Sequence, residues 1–382
     1  MVRTLTCLLI GAGAFATLDV GAIRDTTTGA PGVVGLARLV SARLGLVTVT
    51  APAPGGTIPR PRLLVTTSSG RRFTEIGPHL PPNTRVDDVQ FLDRRHGWVV
   101  TWSVATVGVT LYRTSDGGRT WRSAPVTHHT QGAGAVATVQ FLTPRRGWLV
   151  NQEPTAPAAR LFQTVDGGAS WRAVGSLLPG IAPVEFATAR HAWQAGGSFS
   201  RVLFRSTNGG RTWTRVRLPL PVRERPPHAA YAPPAFFGRE ILAPVTFLNQ
   251  GRVDLAVYRS IDDGNSWRLA AMLETGIRVA PHGGCGPFDL PVQLPIALPR
   301  PRSWWVGVYR SGGWFVYRTL NAGRSWQRSL VSRSAVRTRC PWFADLQAVD
   351  NRTAWFSDLT GGSTKLYATG DGARHWHRLR PP

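Results

Sequence analysis

The chain has 382 residues, 42 % of them hydrophobic, with 41 glycines, 30 prolines and a formal net charge of +24. So much glycine and proline fits many short strands joined by tight turns and argues against long helices. The charge is nearly all arginine, Lys365 being the sole lysine. That skew is one GC-rich coding produces, and the arginines are spread over the whole chain, not gathered into a run or onto one face. With no RRM, KH or zinc-finger spacing, specific nucleic-acid binding is not expected.

The N-terminus carries Arg3 and then an apolar run from Leu5 to Leu18, too short to span a bilayer. This pattern predicts a signal peptide over 1–22, cleaved near Ala14-Phe15-Ala16 or Val20-Gly21-Ala22. The alternative is an uncleaved anchor, which would be the chain's only membrane contact. Either places the rest outside the cytoplasm, secreted or in the cell envelope. Cys7 lacks the flanking residues for lipid attachment.

From residue 33 to about 380 the chain is built of repeats. An apolar residue, one variable residue and Ser or Thr lead into x-Asp/Asn-x-Gly-x-Ser/Thr-Trp, a box seen most clearly at Leu111 to Trp121 and Leu161 to Trp171. Its polar and aromatic anchors are Asp116 with Trp121, Asp166 with Trp171, Asn208 with Trp213, Asp262 with Trp267, Asn321 with Trp326, and Asp371 with Trp376. An eroded copy ends at Phe73. The closing aromatics from Phe73 onward are separated by 48, 50, 42, 54, 59 and 50 residues. A period near fifty suits a four-stranded unit, and seven such units let one domain exceed the usual size of a single core.

Inside the repeats, Gly97-Trp98, Gly147-Trp148, Ala192-Trp193, Trp304-Trp305 and Ala354-Trp355 mark a second strand, and Val89-Gln90-Phe91, Val139-Gln140-Phe141, Val184-Glu185-Phe186 and Leu346-Gln347-Ala348 a first one. Each unit therefore has strands A to D, the box turn joining C to D. Blade 1 departs most, with Gly35 to Leu39 and Gly45 to Val49 as its first two strands; blade 5 uses Ile241 to Leu248 where a tryptophan strand is expected. The expected fold is all-β, a seven-bladed β-propeller of four-stranded antiparallel blades.

The box has a local physical reason: glycines supply positive φ, Asp or Asn accepts bonds from turn amides, Ser or Thr braces that side chain, and Trp covers the turn. It is a structural staple. These repeats resemble the Asp-box or BNR repeat of sialidases, sortilin-type receptors, some glycoside hydrolases and the photosystem II assembly factors of plants and cyanobacteria, within the wider WD40/YVTN-like propeller class. The last group shares the Gly-Trp strand coupled to a Thr-x-Asp-Gly-Gly-x-Thr-Trp box. The resemblance implies that the boxes sit on a rim away from the functional face.

Function is then expected on the opposite face, where D-to-A loops emerge. Three are long: Pro219 to Glu240, Met272 to Pro291 and Ser329 to Ala344. Cys285 and Cys340 fall at comparable places in two of them and are expected to form a disulfide, free thiols or a metal site being weaker readings. The candidate contact patch is Arg223, Arg225, His228, Tyr231, His282 and Trp342.

The enzymatic alternative is a sialidase-like glycoside hydrolase, which needs converging arginines, a tyrosine nucleophile paired with a carboxylate, and a separate acid. Tyr112, Tyr258, Tyr309, Tyr317 and Tyr367 lie in or beside strands, leaving Tyr231 as the loop candidate, and the loop carboxylates are Asp87, Asp88, Glu153, Glu224, Glu240, Glu274 and Asp289. No Arg-Ile-Pro element, clustered histidine ligands or phosphate-binding glycine loop is present. His128-His129 is an isolated pair. The sequence thus points to a monomeric, non-catalytic binding or assembly protein with no cofactor and no metal, whose partner is a protein or an anionic cell-surface polymer.

Overall fold

A computed structural model describes residues 33–382 apart from 51–59, 82, 104–107, 128–135, 153–158, 176–183, 197–201, 220, 222–228, 279–293, 311, 334–343 and 360–363. The expected 1–22 leader lies outside the described residues.

Among the described residues, twenty-nine strands form seven antiparallel sheets. Blade 1 comprises β1 (Val33–Leu39), β2 (Gly45–Thr50), β3 (Pro61–Thr66) and β4 (Thr74–Glu75). Blade 2 comprises β5 (Thr84–Phe91), β6 (Gly97–Ser103), β7 (Gly108–Thr114) and β8 (Arg122–Thr127). Blade 3 has β9 (Val136–Phe141), β10 (Gly147–Gln152), β11 (Arg160–Thr164) and β12 (Arg172–Ala173), and blade 4 has β13 (Val184–Phe186), β14 (Ala192–Gly196), β15 (Val202–Ser206) and β16 (Thr214–Val216). Blade 5 holds β17 (Ala229–Tyr231), β18 (Ala235–Phe237), β19 (Glu240–Asn249), β20 (Arg252–Ser260) and β21 (Arg268–Arg278). Blade 6 runs through β22 (Ile296–Arg300), β23 (Ser303–Arg310), β24 (Gly313–Thr319) and β25 (Gln327–Arg333), and blade 7 through β26 (Ala344–Ala348), β27 (Ala354–Asp358), β28 (Lys365–Thr369) and β29 (His377–Leu379). Among the described residues each sheet is contiguous in sequence, and an isolated antiparallel bridge between Val34 and Thr364 joins the first strand of blade 1 to blade 7.

The second strands are apolar runs because they are covered on both faces: β6 and β10 are buried at every residue. Their tryptophans reach into the next blade. Trp98 stacks on Phe141 at 3.8 Å and 7°, and Trp148 on Phe186 at 3.9 Å and 12°. The fourth strands are exposed edges of two or three residues in blades 1, 3, 4 and 7, too short to template pairing with another chain.

The box works as its chemistry predicts. In blade 2 the Asp116 carboxylate accepts from the Thr120 amide at 3.0 Å, the Thr120 hydroxyl at 2.6 Å and the Thr114 hydroxyl at 2.8 Å, while Gly117 and Gly118 hold φ of 80° and 90°. Trp121 donates its indole N–H to the Gly118 carbonyl, at 3.1 Å. The eroded copy keeps the circuit: Ser68 accepts from the Arg72 amide at 2.9 Å, and Thr66 from the Gly70 amide at 3.0 Å.

Three loop assignments need correction. Pro219 to Glu240 contains β17 and β18, which together act as the first strand of blade 5, both paired to β19. Met272 to Pro291 begins inside β21, and Ser329 to Ala344 inside β25.

Candidate functional site

The first strands of successive blades are tied together by side chains. Gln90 donates to the Phe141 carbonyl at 2.9 Å and accepts from its amide at 2.6 Å, and Gln140 treats Phe186 in the same way at 3.1 and 2.6 Å. Gln347 closes the ring, accepting from the Leu39 amide and donating to the Ala37 carbonyl, both at 2.7 Å. Gly45 admits the closing contact: a methyl there would lie 2.1 Å from the Trp355 ring.

Asp87 and Asp88 belong to this inner wall and not to a loop. They lie within β5, 4 % and 7 % exposed. Asp88 binds the Arg38 guanidinium at 2.7 Å and the Val139 amide at 3.0 Å; Asp87 binds Arg85 at 2.6 Å and the Ala137 amide at 3.0 Å. Burial raises the Asp87 carboxyl above the ordinary carboxylate range, Arg85 opposing it. Among the other carboxylates, Glu240 is paired with Arg259 at 2.6 Å and Glu274 is exposed on β21. Glu153, Glu224 and Asp289 lie outside the described residues.

Tyr231 is likewise a strand residue, at the end of β17 and 7 % exposed, in a cluster with Trp193, Val245 and Tyr258. Burial pushes its phenol up, the wrong direction for a phenolate nucleophile. Tyr258 is pushed up to about 12 by burial and donates to the Pro219 carbonyl. Of the candidate patch, Arg223, Arg225, His228, His282 and Trp342 lie outside the described residues, as do Cys285, Cys340 and the His128-His129 pair. Among the described residues no three His, Cys, Asp or Glu side chains converge as metal ligands would.

The arginines have an order that their even spread conceals. Those ending the third strands latch the box of the following blade: Arg113 donates to the Asp166 carbonyl at 3.0 Å, Arg205 to the Asn265 side chain at 2.7 Å, and Arg318 to the Gly372 carbonyl. Arg205 and Arg318 also lie over the Trp193 and Trp305 rings, at 5.6 and 5.4 Å. A second set occupies the A–B turns, one per blade, at Arg43, Arg95, Arg145, Arg190, Arg239, Arg302 and Arg352. Each stands three residues ahead of a buried second-strand side chain, Leu46, Trp98, Trp148, Trp193, Leu242, Trp305 or Trp355, a spacing legible in the sequence.

The family profile described as "Photosynthesis system II assembly factor YCF48" matches residues 76–184, which cover blades 2 and 3. Comparison with curated proteins finds no match. Among solved structures, YCF48 bound to a D1 peptide is 22 % identical, with 78 % of this chain and 82 % of that one covered and a TM-score of 0.46. A PL25 ulvan lyase is 9 % identical over 94 % of this chain and 100 % of its own, with a TM-score of 0.52. A prolyl endopeptidase is 8 % identical over 91 % of this chain and 49 % of its own, with a TM-score of 0.55. A lyase and a peptidase on one scaffold illustrate that the fold alone assigns no activity. The repeated boxes, the seven blades and the profile match together identify the chain as an Asp-box, or BNR-repeat, β-propeller that resembles the photosystem II assembly factors.

Proposed function

We propose that this propeller is a non-catalytic, protein-binding assembly factor that engages its partner on the face opposite the boxes. The profile match over 76–184 is the observation that carries the reading. The inner wall supports it, because Asp87 and Asp88 hold neighbouring backbone amides and Tyr231 is buried, leaving none of the three placed for hydrolysis. The contact surface is then formed by the segments around Arg223, Arg225 and His228, around His282, and around Trp342, while Tyr231 is part of the core. Export and a Cys285–Cys340 bridge that joins the second and third of these segments belong to the same proposal.

Pull-down from the envelope fraction tests this directly, comparing the full chain with a variant shortened at 222–228, 279–293 and 334–343. A single protein partner held by the intact chain and lost by the shortened one is the expected result. Turnover of sialosides or other glycosides by the full chain, abolished in the shortened variant, would overturn it in favour of a hydrolase.

A further inference from the structure

The seven A–B turn arginines form a ring on the box face. In every blade the arginine carbonyl accepts a bond from the box turn: Arg43 from Ser69 at 3.2 Å, Arg95 from Gly117 at 2.9 Å, Arg145 from Gly167 at 2.8 Å and Arg190 from Gly209 at 2.8 Å. Arg239 accepts from Asp263 at 3.4 Å, Arg302 from Ala322 at 3.0 Å and Arg352 from Gly372 at 2.9 Å. These bonds fix the two turns of each blade side by side at one end of the propeller. All seven arginines are exposed, and only Arg239 spends its guanidinium on a described carboxylate, Asp263 at 3.3 Å.

The A–B and box turns together carry fifteen arginines against seven aspartates, a surplus of eight positive charges on one face. Six of the aspartates, Asp93, Asp116, Asp166, Asp262, Asp350 and Asp371, are already engaged by their own turns. This set alone does not separate one polyanion from another.

A second feature does. The residue between the Ser or Thr and the Asp or Asn of the box is an exposed turn position, and in blades 3, 5 and 6 it is aliphatic: Val165, 53 % exposed, Ile261, 58 %, and Leu320, 47 %. Blades 2 and 4 carry Ser115 and Thr207 there, so the turn itself does not require an apolar side chain. Aliphatic tips set among exposed arginines match a bilayer interface, where cations meet anionic headgroups and short apolar side chains enter the acyl boundary.

We propose that the box face docks flat on an anionic lipid bilayer, its arginine ring against the headgroups and Val165, Ile261 and Leu320 dipping between them. The opposite face is then presented away from the membrane. This docking is independent of the protein partner proposed above.

Co-sedimentation of the full chain with phosphatidylcholine vesicles, with and without phosphatidylglycerol, tests it. Two variants accompany the parent, V165S/I261S/L320S and R145E/R190E/R302E; all six positions are exposed, and unchanged thermal melts confirm their folding. Binding to the anionic vesicles is expected to exceed binding to neutral ones at low salt and to fall as salt rises. The charge-reversed variant should lose at least about tenfold in vesicle affinity. The serine variant should lose at least about fivefold while keeping its retention on a heparin column. Anionic-vesicle binding that the serine variant retains in full would overturn the proposal in favour of a soluble polyanion, and equal binding of all three proteins to both vesicle types would overturn it because residues outside the box face would then hold the lipid.

Discussion

The side-chain amide of Gln90 straddles the backbone of Phe141, donating to its carbonyl at 2.9 Å and accepting from its amide at 2.6 Å. Phe141 ends the first strand of the next blade, so one glutamine satisfies both polar groups of a residue on an edge that no further strand covers. Blade 3 repeats the device with Gln140 on Phe186, and in blade 7 Gln347 bridges two residues, the Leu39 amide and the Ala37 carbonyl, joining the two ends of the propeller. Propeller closure here combines the two Gln347 bonds with an isolated backbone bridge between Val34 and Thr364, an Arg62 bond to the Pro382 carbonyl and apolar contact.

Replacing Gln347 by leucine should therefore destabilise the fold more than its size suggests. It strands a buried amide at Leu39 and a buried carbonyl at Ala37, each costing about 1–3 kcal/mol when unpaired. Chemical denaturation should show a loss of about 2–4 kcal/mol for Gln347→Leu and a similar loss for Gln90→Leu. If closure is the weak point, Gln347→Leu should also raise the rate of limited proteolysis in blades 1 and 7, while Gln90→Leu should raise it in blades 2 and 3.

The blade count and the box chemistry were legible because both are local: a turn of eight residues contains its own donors, acceptors and glycines. What escaped was whatever depends on a neighbour. Gln90 and Phe141 are 51 residues apart, and nothing near Gln90 in sequence names its partner. The first strand of blade 5 was hidden differently. Pro233-Pro234 divides it into two three-residue pieces, and prolines lack the amide a continuous ladder needs, so the segment looks like a loop. The A–B arginines kept a constant spacing from the second strand, yet their even distribution along the chain disguised a ring in space.

The imperfect boxes carry a cost that can be removed. Ala322 in blade 6 and Ala373 in blade 7 hold φ of 57° and 66°, where glycine stands in blades 2, 3, 4 and 7 for the first position and in every other blade for the second. A Cβ in this left-handed region costs about 1–2 kcal/mol. Ala322→Gly and Ala373→Gly should each raise the melting temperature, with a gain of about 1 kcal/mol apiece and near additivity between the two blades. A lowered melting temperature for either would mean that the alanine methyl's packing outweighs the backbone strain. Ala373 is the sharper case, since its side chain is buried against the blade 6–blade 7 cluster.

Acid should unfold the propeller through its boxes. Hydrogen bonds from the Thr120 hydroxyl and amide hold the Asp116 carboxyl far below its usual range, and those from the Ser266 hydroxyl and amide do the same for Asp262. Partial burial opposes the shift at Asp166 and Asp371, but bonds from Ser170 and from His375 outweigh it, taking Asp371 down to about 2. A carboxylate with a depressed folded pKa contributes stability that is present above its unfolded pKa of about 3.9 and is lost as pH falls through the folded value. Asp87, raised by burial, contributes with the opposite sign, and is one group against five, since at Asp93 burial is outweighed by bonds from His96 and Arg95, which lower that carboxyl as well. Stability should hold from about pH 7 to pH 5 and then fall steeply between about pH 4 and pH 2, followed by urea unfolding at each pH. Blades 4 and 6 supply the control, because Asn208 and Asn321 make the same turn with their amide nitrogens donating to Thr212 at 2.7 Å and Ser325 at 2.8 Å. Converting Asp116, Asp166, Asp262 and Asp371 to asparagine should keep the fold and flatten the acid limb. An acid limb unchanged in that variant would assign it to the self-repulsion of the arginine excess as the remaining carboxylates are neutralised.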